Sequence, residues 1–371
     1  MKIAAALLRN FEELYKMRNK TFTIRTLLFA VTMAFCVFFL NGCYILKQGT
    51  CFLKYSIKAV PVKKIQNNPE TPEDLRSFLS LVNEIRDFAA DSAGLNRNSN
   101  FTRYIDINKN HIIDVVYGAG RTDFSPYTWH FPFIGSFPNK GFFDLTDAQK
   151  EAGRLGSKGY DTYLARADAF STLGFFSDPI YSFMKNFSIF RIARLIMHEQ
   201  THATLFIKNQ LQFNEELAMF TGNEGGLRFV KAKYGDTSKV YRQAIIELHD
   251  EDAYYKLIRI LYTQLKKVYD DSAITTDEKL RNKQRIIARF QDSVAQNYNS
   301  IFQSPDYAGL SKININNAFI TADMTYTLNL DMFYALYDKN RRDLRQTIAC
   351  LKKTKFKSKD PHSTLKRLLE S

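Results

Sequence analysis

The chain is poor in cysteine, with four in 371 residues, and no two stand in a Cys-x-x-Cys pair, so a cysteine-built metal site is excluded. Histidine is scarce too, at 6. No segment repeats at a fixed period and no low-complexity linker interrupts the chain, which leaves no place for a solenoid or a string of small domains. The apolar run from Thr26 to Leu40 is too short for a comfortable membrane span. No recognisable nucleic-acid motif accompanies the net charge of +14, from 52 Lys and Arg against 38 Asp and Glu, so nucleic acid is not an expected partner.

What is present at the N-terminus reads as an export signal. Arg18, Lys20 and Arg25 precede the apolar run, which suits a signal-peptide core and ends in Leu40-Asn41-Gly42-Cys43. That tetrapeptide resembles a bacterial lipobox, although Asn41 is an unusual choice; the resemblance implies lipid on Cys43, which becomes the first mature residue. An uncleaved signal anchor is the alternative, and translation starting at Met17 would shorten the long prelude. Either way the rest of the chain is exported. Of the other cysteines, Cys36 lies in the signal core, while Cys51 and Cys350 could pair in an oxidising compartment. About 330 residues then remain, enough for one large α+β domain or two fused lobes, with 31 Phe and 20 Tyr to fill a core and a cleft.

The pattern along the chain orders the elements. Residues 43–70 read as a tether from the lipidated Cys43, ending in a turn at Asn68-Pro69-Glu70. Thr71 to Ala93 reads as a helix with Thr71 as cap and Pro72 at its first position. Tyr104 to Phe143 is rich in strand formers among Gly, Pro and Ser turn signals. A helix from about Thr146 to Lys158 leads to strand-like segments at Tyr160 to Ala165 and Ala169 to Phe176. From Pro179 onward the pattern is helical, with amphipathic segments at 240–270, 277–299 and 317–350. Asp178, before Pro179, reads as a helix cap. Residues 352–371 form a basic tail, in which Lys352, Lys353, Lys355, Lys357 and Lys359 either rest on anionic lipid or stay solvated.

The chemistry is carried by His198-Glu199-Gln200-Thr201-His202. Residues four apart share a helix face, so both imidazoles can reach one Zn²⁺, while Glu199, turned about 100° away, stands beside the open position of the metal. Ile189 to Met197 before the motif and Leu205 to Ile207 after it are mostly apolar, and neither Pro nor Gly falls between Ser188 and Lys208, so a buried helix is expected. A hydrogen-bonded histidine pair in a core is the alternative. A catalytic zinc needs a third protein ligand. Leu205 and Lys208 exclude the metzincin solution, which would put Gly and His there. Downstream, Phe213-Asn214-Glu215-Glu216-Leu217-Ala218 reads Asn-Glu-x-x-Ala and resembles the third-ligand helix of gluzincins, which implies Glu215 as ligand; Glu216 is the rival. Where gluzincins often place an orienting Asp four residues later, this chain has Met219.

These motifs, with Glu84-Ile85-Arg86-Asp87-Phe88-Ala89, the Trp129 to Phe143 segment, Ala169 to Pro179, Glu224-Gly225, Asn316-Asn317-Ala318 and Tyr326, occur in an order that resembles the predicted bacterial lipoprotein aminopeptidases of the gluzincin type. The resemblance runs from about Cys43 to about Cys350. It implies an α+β, zincin-like metallopeptidase with a β-rich N-terminal lobe, a helical C-terminal lobe and the active-site helix at their junction, within residues 71–351. A signal peptide over 1–42, the tether and the basic tail complete the organisation. One Zn²⁺ on His198, His202 and Glu215, Glu199 as general base and later acid, and Tyr326 as a donor to the oxyanion are implied, with His111, His130 and His249 as alternatives to Tyr326. Ser171, Thr172, Leu173 and Gly174 would bind the backbone of a peptide or protein substrate as an edge strand. Glu216 and Glu224 are the candidates for pairing with its α-ammonium group. A zinc endopeptidase, a cell-wall amide hydrolase and a non-catalytic lipoprotein stabilised by zinc are the competing readings. The localisation implied is a bacterial membrane, periplasmic or outer-membrane face.

Overall fold

The computed structural model describes residues 44–131, 135–167, 177–324, 329–357 and 359–370. In chain order, a helix over residues 44–58 (α1) precedes β1 (Val60–Pro61), α2 (Val62–Gln66), α3 (Glu73–Asp91), β2 (Arg103–Ile105), β3 (Ile113–Ala119), β4 (Trp129–Phe131), β5 (Gly135–Phe137), β6 (Asn139–Phe142), α4 (Leu145–Ser157), β7 (Asp161–Ala167) and β8 (Ile180–Tyr181). Then come α5 (Ile189–Thr204), α6 (Leu211–Tyr234), α7 (Lys239–Asp270), α8 (Thr276–Ile301), α9 (Asn317–Met324), α10 (Asp331–Lys339), α11 (Leu344–Lys353) and α12 (Pro361–Glu370). The fold is mixed α and β and mostly helical. None of the described helices is long and apolar enough to cross a membrane.

The described residues fall into two compact units. The smaller holds residues 44–54, 130–131 and 135–136; within it the Tyr44 and Phe131 rings lie 5.6 Å apart, and His130 Nδ1 is 2.6 Å from Ser136 Oγ. The larger holds all the rest. In it β1, β2 and β8 make one sheet, with β2 antiparallel to β1 and parallel to β8. A second, antiparallel sheet has the order β6-β3-β7. Its central strand β3 is buried along its whole length, as a strand covered on both faces must be; α4 and α9 both pack on β3 and β7. The second sheet therefore belongs as much to the C-terminal helices as to the strands that precede them.

A polar network fixes that junction. The Asn317 backbone N–H donates to Asp161 Oδ2 (2.9 Å), its side-chain Nδ2 donates to the carbonyls of Gly120 and Asp123 (both 2.8 Å), and the Tyr269 hydroxyl donates to its Oδ1 (2.9 Å). Buried Lys283 donates to the Asp161 carboxylate and to the Arg121 carbonyl. Asn316 adds a bond from Nδ2 to the Thr162 carbonyl at 2.9 Å. The Asn316-Asn317 pair singled out from the sequence is thus a joint between the sheet and helices α7, α8 and α9.

Several sequence expectations change. The stretch taken as a tether is helical over 44–58 and continues into β1 and α2. Thr71 does not cap α3: its hydroxyl donates to the Ile65 carbonyl (2.7 Å), and Pro72, in an extended conformation, takes the N-cap position. Asp178 caps no helix. It precedes β8, its carbonyl accepts from Phe101 N (2.7 Å), and its N–H donates to Asn100 Oδ1 (3.2 Å). The single segment expected at 317–350 is three helices, broken before α10, where Asn329 Oδ1 accepts from Asp331 N (3.0 Å), and at Arg341 and Arg342, both left-handed at φ 56°. The basic tail is not a free end, since α11 continues to Lys353 and α12 packs on α10 with Leu365 buried. Cys51 and Cys350 are both free thiols.

Replacing Asn317 with Ala strands two carbonyls and a hydroxyl in a dry interior. We expect Asn317→Ala to lose about 2–4 kcal/mol of stability in chemical denaturation. A loss under about 0.5 kcal/mol would show that the joint is dispensable.

Candidate metal centre

The centre is built on two antiparallel helices, α5 and α6, joined by a short turn. Ser188 starts α5, its Oγ accepting from Arg191 N at 3.0 Å, and the apolar residues Phe190, Ile192, Ala193, Ile196 and Met197 are buried. The turn is held by Asn214, itself 1% exposed: its Oδ1 accepts from Ile207 N and its Nδ2 donates to the Ile207 carbonyl, both at 2.9 Å. Asn209 takes a left-handed φ of 62° within it. This staple sets the first turn of α6 against the end of α5. Further along, Gly222 and Gly226 allow close approach. A Cβ at Gly222 would lie 2.9 Å from the Arg194 carbonyl and 3.4 Å from His198 Cβ, and one at Gly226 would lie 3.1 Å from Arg194 N.

The result brings His198, His202 and Glu215 together. Their Nε2 atoms are 3.2 Å apart, Glu215 Oε2 is 3.4 Å from His198 Nε2, and Glu215 Oε1 is 3.5 Å from His202 Nε2. Among the described residues these form a group of three donors able to share one ion. Two ligands held about 2.0–2.1 Å from one tetrahedral ion sit roughly 3.3 Å from each other, so the separations suit Zn²⁺. The charge states suit it as well. Burial, reinforced by His198, pushes the His202 imidazole down to about 4, which keeps its lone pair available at neutral pH. Burial, the largest single influence, would raise the Glu215 carboxyl, but the hydrogen bond from His198 together with the charges of His202 and His198 outweighs it and holds the group below its usual range.

Glu199 is buried next to this group. Burial raises its pKa; the charge of His198 opposes the shift and that of Glu215 adds to it. Asp178, which sequence reasoning reduced to a cap, feels the charge of Glu199 and is pushed up to about 7, first by burial and then by that charge. No local pattern could have revealed a carboxyl brought in from the segment just before β8. Met219 stands where an orienting Asp would be, and its Sδ is 3.5 Å from Arg194 Nη2, which also pairs with Glu251 (2.8 Å). His202 Nδ1 is buried without a hydrogen-bond partner among the described residues.

The two candidates for an ammonium group sit elsewhere. Glu216, 1% exposed, is turned away from Glu215: His362 Nε2 on α12 lies 2.5 Å from its Oε2, and Gln212 Nε2 donates to its Oε1 at 3.0 Å. The same His362 ring packs edge-on against Phe213, 5.2 Å between centroids. Glu216 is therefore a docking point for α12. Glu224 lies beside Tyr334 and Tyr337, two further turns along α6. Both His111 and His249 have carboxylate partners, Asp114 and Asp250 (each 3.0 Å). Cys43, Ser171, Thr172, Leu173, Gly174 and Tyr326, with the strand expected at Ala169 to Phe176, lie outside the described residues.

A protein-family model described as "Putative aminopeptidase" matches residues 43–365. Neither the curated proteins nor the solved structures contain a match. The matched span reaches into α12 and so includes the helix that docks on Glu216.

Removing the docking imidazole leaves a buried carboxylate with Gln212 alone. We expect His362→Ala to cost about 1–3 kcal/mol in chemical denaturation, the lower end because His362 is partly exposed, and Glu216→Gln in that background to recover part of the loss. A His362→Ala protein as stable as the parent would show that α12 is held by apolar contacts instead.

Proposed function

The chain belongs to this aminopeptidase family, and on that premise we propose that it is a zinc-dependent peptidase of the gluzincin type, zincin-like in fold, exported and anchored in a bacterial membrane through lipid on Cys43. The observation that carries the metal reading is the convergence of two imidazole nitrogens and a carboxylate at 3.2–3.5 Å with the Glu199 carboxyl buried beside them. His198, His202 and Glu215 hold the ion. Zinc bound there supplies a positive centre that makes water more acidic and polarises a carbonyl.

The residues of the chain do the rest. Glu199 sits one residue past His198, on the adjacent helix face, where it can take the proton of an attacking water and return it to the departing amine. Burial raises its pKa, which makes the carboxylate a stronger proton acceptor than an exposed one. The mostly apolar α5 and the close packing of α6 keep the two imidazoles from swinging, so the donor set is in place before substrate arrives. For the anchor, the support is the apolar run from Thr26 to Leu40, followed by Leu40-Asn41-Gly42-Cys43, and a family match that begins at Cys43.

Glu199→Gln should retain zinc, measured as metal per protein, and lose at least about a hundredfold in peptide hydrolysis, because the amide keeps the shape but not the basicity. His198→Ala, His202→Ala and Glu215→Ala should each lose metal; full zinc occupancy in Glu215→Ala would remove Glu215 from the site. Fatty-acid probe labelling in cells should mark the parent and not Cys43→Ser, and equal labelling would rule out lipid at that position.

A further inference from the structure

The helix found where a tether was expected, α1, has two unlike faces. Its inner face meets protein: the Tyr44 ring lies 5.6 Å from that of Phe131 inside the smaller unit, and the Tyr55 ring lies 5.6 Å from that of Phe143 inside the larger. On its outer face Leu46, Leu53 and Ile57 are 52%, 54% and 71% exposed. Spaced seven and four residues apart, they fall within an arc of about 40° on one side of the helix. Single exposed apolar residues are ordinary on a protein surface, but these are not single. Among the described residues, four of the eleven exposed large apolar side chains stand between Leu46 and Val60, so the stripe is a concentration that calls for a partner.

Charge follows the same period. Lys47, Lys54 and Lys58 each come one residue after a member of the stripe, about 100° round the helix, and all three are exposed. No Asp or Glu falls between Tyr44 and Pro69, whereas Lys63 and Lys64 add two further cations. An apolar stripe beside a row of lysines, with no acid to oppose them, is complementary to a surface that is apolar at one depth and anionic just above it, as a leaflet with acidic headgroups is. The four-carbon stem of lysine can lie along the apolar layer while its ammonium reaches the phosphates. The helix is too short to cross instead: residues 44–58 span roughly 22 Å against a hydrocarbon core of about 30 Å. It also begins at the residue after Cys43, so either anchor, lipid on Cys43 or the apolar run from Thr26 to Leu40, would bring the stripe to the same surface.

We propose that the outer face of α1 lies in the interface of an anionic membrane, with Leu46, Leu53 and Ile57 against the acyl chains and Lys47, Lys54 and Lys58 at the phosphates. Each lysine held near such a surface strengthens the contact about fivefold. That the chain is at a membrane rests on the reading given above, whereas the preference of this face for anionic lipid does not.

The test uses the full chain reconstituted in vesicles of phosphatidylcholine, with or without phosphatidylglycerol. Benzoyl-phenylalanine is placed singly at Leu53, Lys54, Ile57 or Lys58, the vesicles are irradiated, and lipid adducts are read by mass spectrometry. All four positions are exposed, so the substitutions leave the core untouched. In the anionic vesicles we expect acyl-chain adducts about threefold or more higher at 53 and 57 than at 54 and 58. The yield at 53 should fall about threefold or more when phosphatidylglycerol is omitted, or when Lys47→Gln, Lys54→Gln and Lys58→Gln are combined. Equal yields at 53 and 54, adducts to protein in place of lipid, or yields indifferent to phosphatidylglycerol would overturn the proposal. Fatty-acid labelling of Cys43 is a separate readout: an unlabelled Cys43 with the periodic adducts intact would sink the lipid anchor and leave this surface standing.

Discussion

The centre depends on how closely α6 can lie against α5. His198 and His202 project from one helix and Glu215 from the other, so the 3.4 and 3.5 Å separations between them are set by the distance between two backbones. That distance is short because Gly222 and Gly226 present no side chain where α5 passes. Helix pairs usually pack at 8–10 Å with side chains interleaved, and glycine at the crossing is what lets them approach the lower end. Asn214 closes the other end of the pair by binding both polar groups of Ile207. A register error of one residue in α6 would rotate Glu215 by about 100° and put Glu216 in its place.

The neighbouring carboxylates Glu215 and Glu216 make this alternation visible. Both are chemically fit to bind a metal, yet one faces two imidazoles and the other faces His362. A carboxylate at 1% exposure must find partners, and α12 supplies one. The choice between the two acids is therefore made by the whole assembly around α6: glycines on one face, and the imidazole and aromatic rings packed on Phe213 on the other.

How much of this could be read beforehand follows the range of the interactions. The His198 and His202 pair was legible because it rests on helix period alone, and α5, α7 and α8 declared themselves through apolar spacing, while the caps Ser188 and Thr275 emerged only in the structure. Glu215 was legible through resemblance to a motif, with Glu216 left open, since its partner lies 146 residues away. The break at Arg341 and Arg342 was hidden because no glycine marks the left-handed turn. The basic end misled for a related reason: lysine-rich composition speaks of solvent, but Leu365 and His362 on the inner face of α12 carry the packing. Asp178 was misassigned because the residue before a proline reads equally as a cap and as an extended position, and only β8 decides between them.

The bond from His362 to Glu216 closes a loop of 146 residues around the first turn of α6. A chain emerging from its N-terminus can form α5 and the start of α6 early, yet the buried face of that turn has no imidazole to meet until the far segment has been made and has come back. In such a nascent chain Glu216 would still be seeking water, and the helix that presents Glu215 would be free to fray. The ledge under Glu215 is thus complete only with α12 docked, so the setting of the centre depends on a segment far from it in sequence.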